Sequence, residues 1–362
     1  MIKTDRIVFL DYLRVIACFM VIIIHSCEPF YLGGKGTFIL NSTNALLVTL
    51  IDSAFRAAVP LFVITSSFLL FPLKGTASAF FKKRFVRVLV PLVVWSLLYA
   101  LIPLYGAEPS IGANLKQLIF NFTPASGHLW FVYMLLGVYV LMWMLSGWVS
   151  TLTKKQEQVF IAVWAFTTLF PFLRQLASNG ELWGEANWNE FGAFYYMSGF
   201  VGYIVLGHYF RTWVGEISWK KTLAIAVPMF LVGYAITAVW FWCKIPKSYP
   251  VNESLSLAVL MEQSWRFCTF GVALTTIAFF LIIRKFTSAG WGYRHIILPI
   301  SNLSYGMYLM HIFFLVFWNA MLIRWGFTPL ATIALTAVLT FLTSAIVSKA
   351  ISFLPGSKYI VG

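Results

Sequence analysis

Residues 7–28, IVFLDYLRVIACFMVIIIHSCE, decide the fold. About 20 predominantly apolar residues cross a hydrocarbon core ~30 Å thick, and this run is long enough although it carries Asp11, Arg14 and His25. Ionisable side chains are costly at that depth and therefore mark function. Arg14 and His25 stand eleven positions apart, which is three helical turns plus ~20°, so both side chains share one face ~16 Å apart along the axis. Asp11 stands three residues before the arginine and Glu28 three after the histidine, each one turn from a local partner. The run lacks a small-residue cleavage site before its polar exit, so it is expected to stay as a helix rather than leave as a signal peptide.

The rest of the 362-residue chain repeats the pattern. It is 60% hydrophobic and only 10% charged, where soluble proteins carry about 25% charged residues. Expected is an all-α polytopic membrane protein, one integral domain over residues 1–362, with about ten transmembrane helices around a central cavity. The spans fall near 7–28, 45–72, 84–104, 128–149, 158–176, 193–210, 221–243, 256–283, 295–322 and 328–352. The longest polar joints, 33–44, 107–127 and 177–190, are too short for a separate soluble core. Residues 111–122 read as a short interfacial helix, and Trp183 with Trp188 as an outer boundary marker.

Basic residues stay on the cytoplasmic side. With the amino terminus inside, that side collects Lys3, Arg6, Lys74, Lys82, Lys83, Arg84, Lys154, Lys155, Arg211, Lys220, Lys221, Arg284, Lys285, Arg294, Lys349 and Lys358. The outer side keeps Lys35, Lys116, Arg174, Lys244, Lys247 and Arg324, with Glu108, Glu181, Glu185, Glu190 and Glu253. Both termini are therefore expected in the cytoplasm. The net charge of +14 then reads as attraction to inner-leaflet lipids, with no nucleic-acid partner. Neither the four cysteines nor the five histidines show metal-ligand spacing, so no metal is expected.

Four arginines, Arg14, Arg56, Arg87 and Arg266, fall in or beside spans. They fit an aqueous, anion-accepting cavity, or ion pairs with Asp11, Asp52 and Glu262 that knit the bundle. In the second span Pro60 precedes Thr65, Ser66 and Ser67, a pattern of local distortion and close helix packing as well as of a polar site. Phe80–Pro91 interleaves Lys82, Lys83, Arg84 and Arg87 with aromatic residues, suited to anionic lipid or to the phosphates of a soluble cofactor. His128 and Trp130 open the fourth span, and Ser304, Tyr308 and His311 share one face of the ninth. His208 and His295 are expected to be solvated at cytoplasmic helix ends. His25 is the candidate general base, since neutral imidazole accepts protons near pH 7 and Glu28 is placed to orient it.

Together these residues resemble the acyltransferase-3 family of integral membrane acyltransferases. The basic residue, ten intervening positions and histidine of its first-helix signature stand here as Arg14 and His25. Val59–Phe62 with Ser66-Ser67-Phe68 is similar to its second-helix motif, with Ser67 where the family often has glycine. Arg84, Arg87 and Pro91 resemble its basic segment, His128-Leu129-Trp130 its His-x-Trp element, and Ser304 to His311 its Ser-x-Gly-x-Tyr-x-x-His element. The resemblance implies a multi-pass protein of a bacterial-type cytoplasmic membrane, with acyl-coenzyme A as co-substrate, acetyl or succinyl in kind. It further implies transfer to a hydroxyl of a carbohydrate or lipid-linked carbohydrate of the cell envelope. Carried onto this chain, Lys82, Lys83, Arg84, Arg87 and Arg14 would hold the donor. His25, Glu28 and Arg14 would form the catalytic group, with Arg56, Ser66, Ser67, His128, Trp130, Ser304, Tyr308 and His311 around the substrates. The residues alone also fit a carrier or flippase for an anionic or lipid-linked solute, though paired broken helices at matching positions are not evident.

Overall fold

The computed structural model describes residues 6–33, 36–102, 104, 110–121, 124–177, 180–184 and 197–362. Among these, eight helical segments are long and apolar enough to cross a membrane. A ninth is present if Leu255–Trp265 and Phe270–Ile283, bent by 45° at a short break, count as one span. The chain is thus an all-α polytopic membrane protein. The eighth expected span is the one bent at its break. The sixth, expected from residue 193, begins outside the described residues, and its described helix covers Val201–Thr212. Lys3, Lys35, Glu108, Phe122, Glu185, Trp188 and Glu190 also lie outside them.

The helices are α1 (Val8–Cys27), α2 (Ser42–Phe55), α3 (Ala58–Leu70), α4 (Ala77–Leu101), α5 (Ile111–Gln117), α6 (Trp130–Thr151) and α7 (Lys154–Leu173). They continue as α8 (Val201–Thr212), α9 (Trp219–Lys244), α10 (Leu255–Met261), α11 (Phe270–Ile283), α12 (Leu298–Arg324) and α13 (Pro329–Ile351). By internal contacts the chain divides into two compact units.

One unit contains α1 up to Met20, Cys27–Leu73 and Leu141–Ser288. A small antiparallel sheet, β1 (Leu32–Gly33), β2 (Gly36–Ile39) and β3 (Val251–Ser254), lies in it, with Phe38 opposite Asn252. The expected second span is two helices, and the break falls at Arg56-Ala57. Pro60 explains the position. It sits in the first turn of α3, where its missing N–H costs nothing, and it denies Arg56 the partner that would have continued α2. Further on, α3 meets α8 so closely that a Cβ on Gly207 would stand 2.8 Å from the Ser67 Cβ. A Cβ on Gly233 of α9 would likewise come 2.5 Å from the Gly271 carbonyl oxygen of α11, the small-residue approach that substitutes for hydrophobic driving force in lipid.

The other unit contains Val21–Ser26 of α1, Lys74–Val140 and Ala289–Gly362. Helix α4 starts at Thr76, whose hydroxyl accepts from the Ala79 N–H, so Lys82, Lys83 and Arg84 lie inside the helix rather than before it. Helices α12 and α13 form an antiparallel hairpin with Thr332, Thr336, Thr340, Ser344 and Ser348 buried along α13 at four-residue spacing. The chain after α13 returns to α4. There Trp95 Nε1 donates to the Ile360 carbonyl at 2.8 Å, and Arg87 Nε to that of Gly362 at 3.2 Å.

Candidate active site

The second unit gathers three imidazoles. His25, from the end of α1, lies 5.2 Å from His311 of α12 and 6.4 Å from His128, ring centroid to centroid. His128 and His311 are 5.0 Å apart. His128 sits on a 3-10 turn, Pro124–Leu129, that leads into α6, and it is buried, as is His311; His25 is half-buried. These residues come from three distant parts of the chain, and two tyrosines fix their spacing. The Tyr308 hydroxyl donates to the His128 backbone carbonyl. The Tyr99 hydroxyl of α4 donates to the Leu309 carbonyl at 3.0 Å, and its ring lies 5.1 Å from that of His128. His311 Nδ1 meets the Tyr308 carbonyl oxygen of its own helix. Ser304 is also buried, but its hydroxyl donates to the Ser301 carbonyl one turn back at 2.9 Å. Trp130, half-buried, heads α6 two residues after His128.

The same unit holds a cavity of about 410 Å³ at the other end of α4, lined by Lys82, Lys83, Val86, Arg87, Lys358 and Gly362. Four cations on one small concavity favour an anion of several charges. Arg84 does not line it, whereas Lys358 does, although nothing local in the sequence brings Lys358 to α4. Arg87 and Tyr99 stand twelve positions apart on one helix, so basic cavity and imidazole group lie ~18 Å apart along α4.

In the first unit, Asp11 is fully buried and accepts from both Arg6, at 2.7 and 2.9 Å, and Arg14, at 3.2 Å. Arg14 and His25 lie on the one continuous helix α1. Arg56 pairs with buried Asp52 one turn back and lies 4.3 Å over the Trp265 ring. Glu262 accepts from the Tyr31 hydroxyl at 2.7 Å, and Arg266 is exposed. Asp11 and Asp52 thus form the arginine pairs the sequence offered, while Glu262 takes a tyrosine instead. Ser67 donates to the Ile204 carbonyl of α8, and Ser66 is half-buried beside it on α3. Glu28 opens the short 3-10 turn Glu28–Phe30.

His208 departs from its expected solvation. It is buried, its Nδ1 meets Glu157 at 2.5 Å, and Trp213 Nε1 donates to the other oxygen of that carboxylate at 3.0 Å. The cause is the docking of α8 on α7, which no local pattern encodes. No group of three or more His, Cys, Asp or Glu residues with metal-holding geometry occurs among the described residues.

Fold and site define a multi-pass membrane protein with a buried imidazole centre. The sequence model of the acyltransferase-3 family, described as an acyltransferase domain, matches residues 7–349, and the chain belongs to that family. Neither curated proteins nor solved structures give a match. The protein is a membrane acyltransferase.

Proposed function

We propose that the protein transfers an acyl group, acetyl or succinyl, from cytosolic acyl-coenzyme A to a hydroxyl of a cell-envelope or lipid-linked sugar, within a bacterial-type cytoplasmic membrane. One observation carries the reading: helix α4 joins a cavity lined by four cations to a group of three imidazoles. A donor with phosphates at one end and a thioester at the other end of a long flexible arm matches that spacing. Lys82, Lys83, Arg87 and Lys358 take the phosphates, with Arg84 adding charge nearby. Arg14, its guanidinium steadied by Asp11, adds a further positive charge on α1, the helix that carries His25.

His25 removes the proton from the acceptor hydroxyl as its oxygen attacks the thioester carbon. The C–O bond forms, the C–S bond breaks, and the imidazolium returns the proton to the departing thiolate. Half-burial of His25 beside buried His128 and His311 leaves it the one of the three that a substrate reaches most readily. Trp130, Ser304 and Tyr308 shape this end of the site, and Glu28 follows His25 by three residues in the chain. Transfer is direct: the Ser67 hydroxyl is buried in a helix contact, which favours attack by the acceptor over acylation of that serine.

Coenzyme A is expected to raise the melting temperature of the detergent-solubilised protein, which a carrier for another solute would not show. A well-expressed His25→Ala protein should retain that stabilisation and lose about 10²- to 10⁴-fold in transfer rate. Wild-type transfer by this variant would remove His25 as the base, and a labelled acyl-enzyme formed without acceptor would overturn direct transfer.

A further inference from the structure

Of the three imidazoles, His311 has its tautomer defined by geometry. Its Nδ1 stands against the Tyr308 backbone carbonyl, which only accepts hydrogen bonds, so Nδ1 carries the proton and Nε2 presents a bare lone pair. That Nε2 is fully buried and has no hydrogen-bond partner. Buried polar atoms are nearly always satisfied, and an exception in a site calls for a reason. Two imidazoles flank the ring, at centroid separations of 5.2 Å for His25 and 5.0 Å for His128. At such separations ring nitrogens turned toward each other are within hydrogen-bond reach, and rotation about χ2, a soft torsion for histidine, can turn them so. His128 is buried, held at its backbone by Tyr308 and packed against Tyr99, whereas His25 is half-buried.

We infer that His311 is a positioning residue for the base: its Nε2 accepts the N–H of His25 and so fixes which His25 nitrogen keeps its lone pair for the acceptor hydroxyl. A base in the wrong tautomer is inactive even when correctly placed. During transfer the acceptor proton goes to the open nitrogen of His25, the hydrogen bond to His311 holds the resulting imidazolium, and the proton then leaves with the coenzyme A thiolate. His311 itself neither gains nor loses a proton. Tyr308 sets the register, since its carbonyl holds the His311 Nδ1–H while its hydroxyl ties α12 to the turn bearing His128.

The inference rests on His25 acting as the base, so the test reads the two separately. The full chain is labelled with ¹⁵N-histidine in detergent, and the His25 signals, assigned by their loss in His25→Ala, report its tautomer. One dominant tautomer is expected in the wild type, a mixture in His311→Ala, and the wild-type tautomer again in His311→Gln, whose terminal amide oxygen reaches the Nε2 position. His311→Asn is too short to restore it. With labelled acetyl-coenzyme A and envelope membranes as acceptor, His311→Ala should lower the maximal rate about 10²-fold at unchanged donor KM, with Gln recovering most of the loss. An unchanged His25 tautomer in His311→Ala overturns the inference while leaving the base intact, and activity in His25→Ala overturns the base itself. If the alanine variant does not fold, equal His25 tautomers in the Gln and Asn variants overturn it.

Discussion

Asp52 and Arg56 show how much one residue's surroundings decide. Asp52 is fully buried and the Arg56 side chain is only 10% exposed. Removing one member of a buried pair leaves an uncompensated charge, which costs about 3–5 kcal/mol. Asp52→Asn should therefore lower the melting temperature of the detergent-solubilised protein strongly. Asp52→Leu combined with Arg56→Met should recover most of the loss, because a buried pair and an apolar replacement of similar volume are nearly equivalent. A mild single mutant would mean that Arg56 reaches water. Asp11 makes the useful contrast: its partners Arg6 and Arg14 are 46% and 29% exposed, so Asp11→Asn should destabilise less. Both pairings were legible as spacings of three and four residues on a helix. Trp265, over which Arg56 lies, was not, since more than two hundred residues separate the two in sequence.

Among elements, contact between α3 and α8 turns on Gly207. Ser67 faces a glycine, and the space it needs is supplied from the opposite helix. A side chain at position 207 would collide with Ser67 and with the Ile64 carbonyl oxygen, 2.9 Å from a built Cβ. Overpacking of this kind costs about 1–3 kcal/mol. Gly207→Ala is expected to lower thermal stability by that amount, and adding Ser67→Gly should restore part of it; strictly additive effects in melting experiments would show that the two positions do not meet. Hydropathy located the spans but not their interruptions. The break before α3 was readable in principle from Pro60, because a proline in a first turn implies a helix starting just upstream. The 45° bend between α10 and α11 was not, for it is held by the Trp265 indole, which stacks on Phe241 at 3.6 Å and donates to the Ser53 hydroxyl.

For the molecule as a whole, composition sufficed for the class, and the alternation of basic loops sets an expected orientation, whereas the meeting of His25, His128 and His311 is tertiary and left only single histidines in the sequence. The proposed chemistry depends on that orientation, because acyl-coenzyme A is cytosolic and must find Lys82, Lys83 and Arg87 on its own side. One native thiol reports it. Cys243 is exposed one residue before the end of α9, at the end expected to face outward, whereas Cys18 and Cys27 are buried. On a Cys268→Ser background, a membrane-impermeant maleimide should label right-side-out vesicles and not inside-out ones, and Cys243→Ser should abolish the signal. Labelling from the inside-out side alone would invert the chain and place the four-cation cavity away from the cytosol. The imidazole group would keep its geometry in that case, but coenzyme A would no longer be its donor.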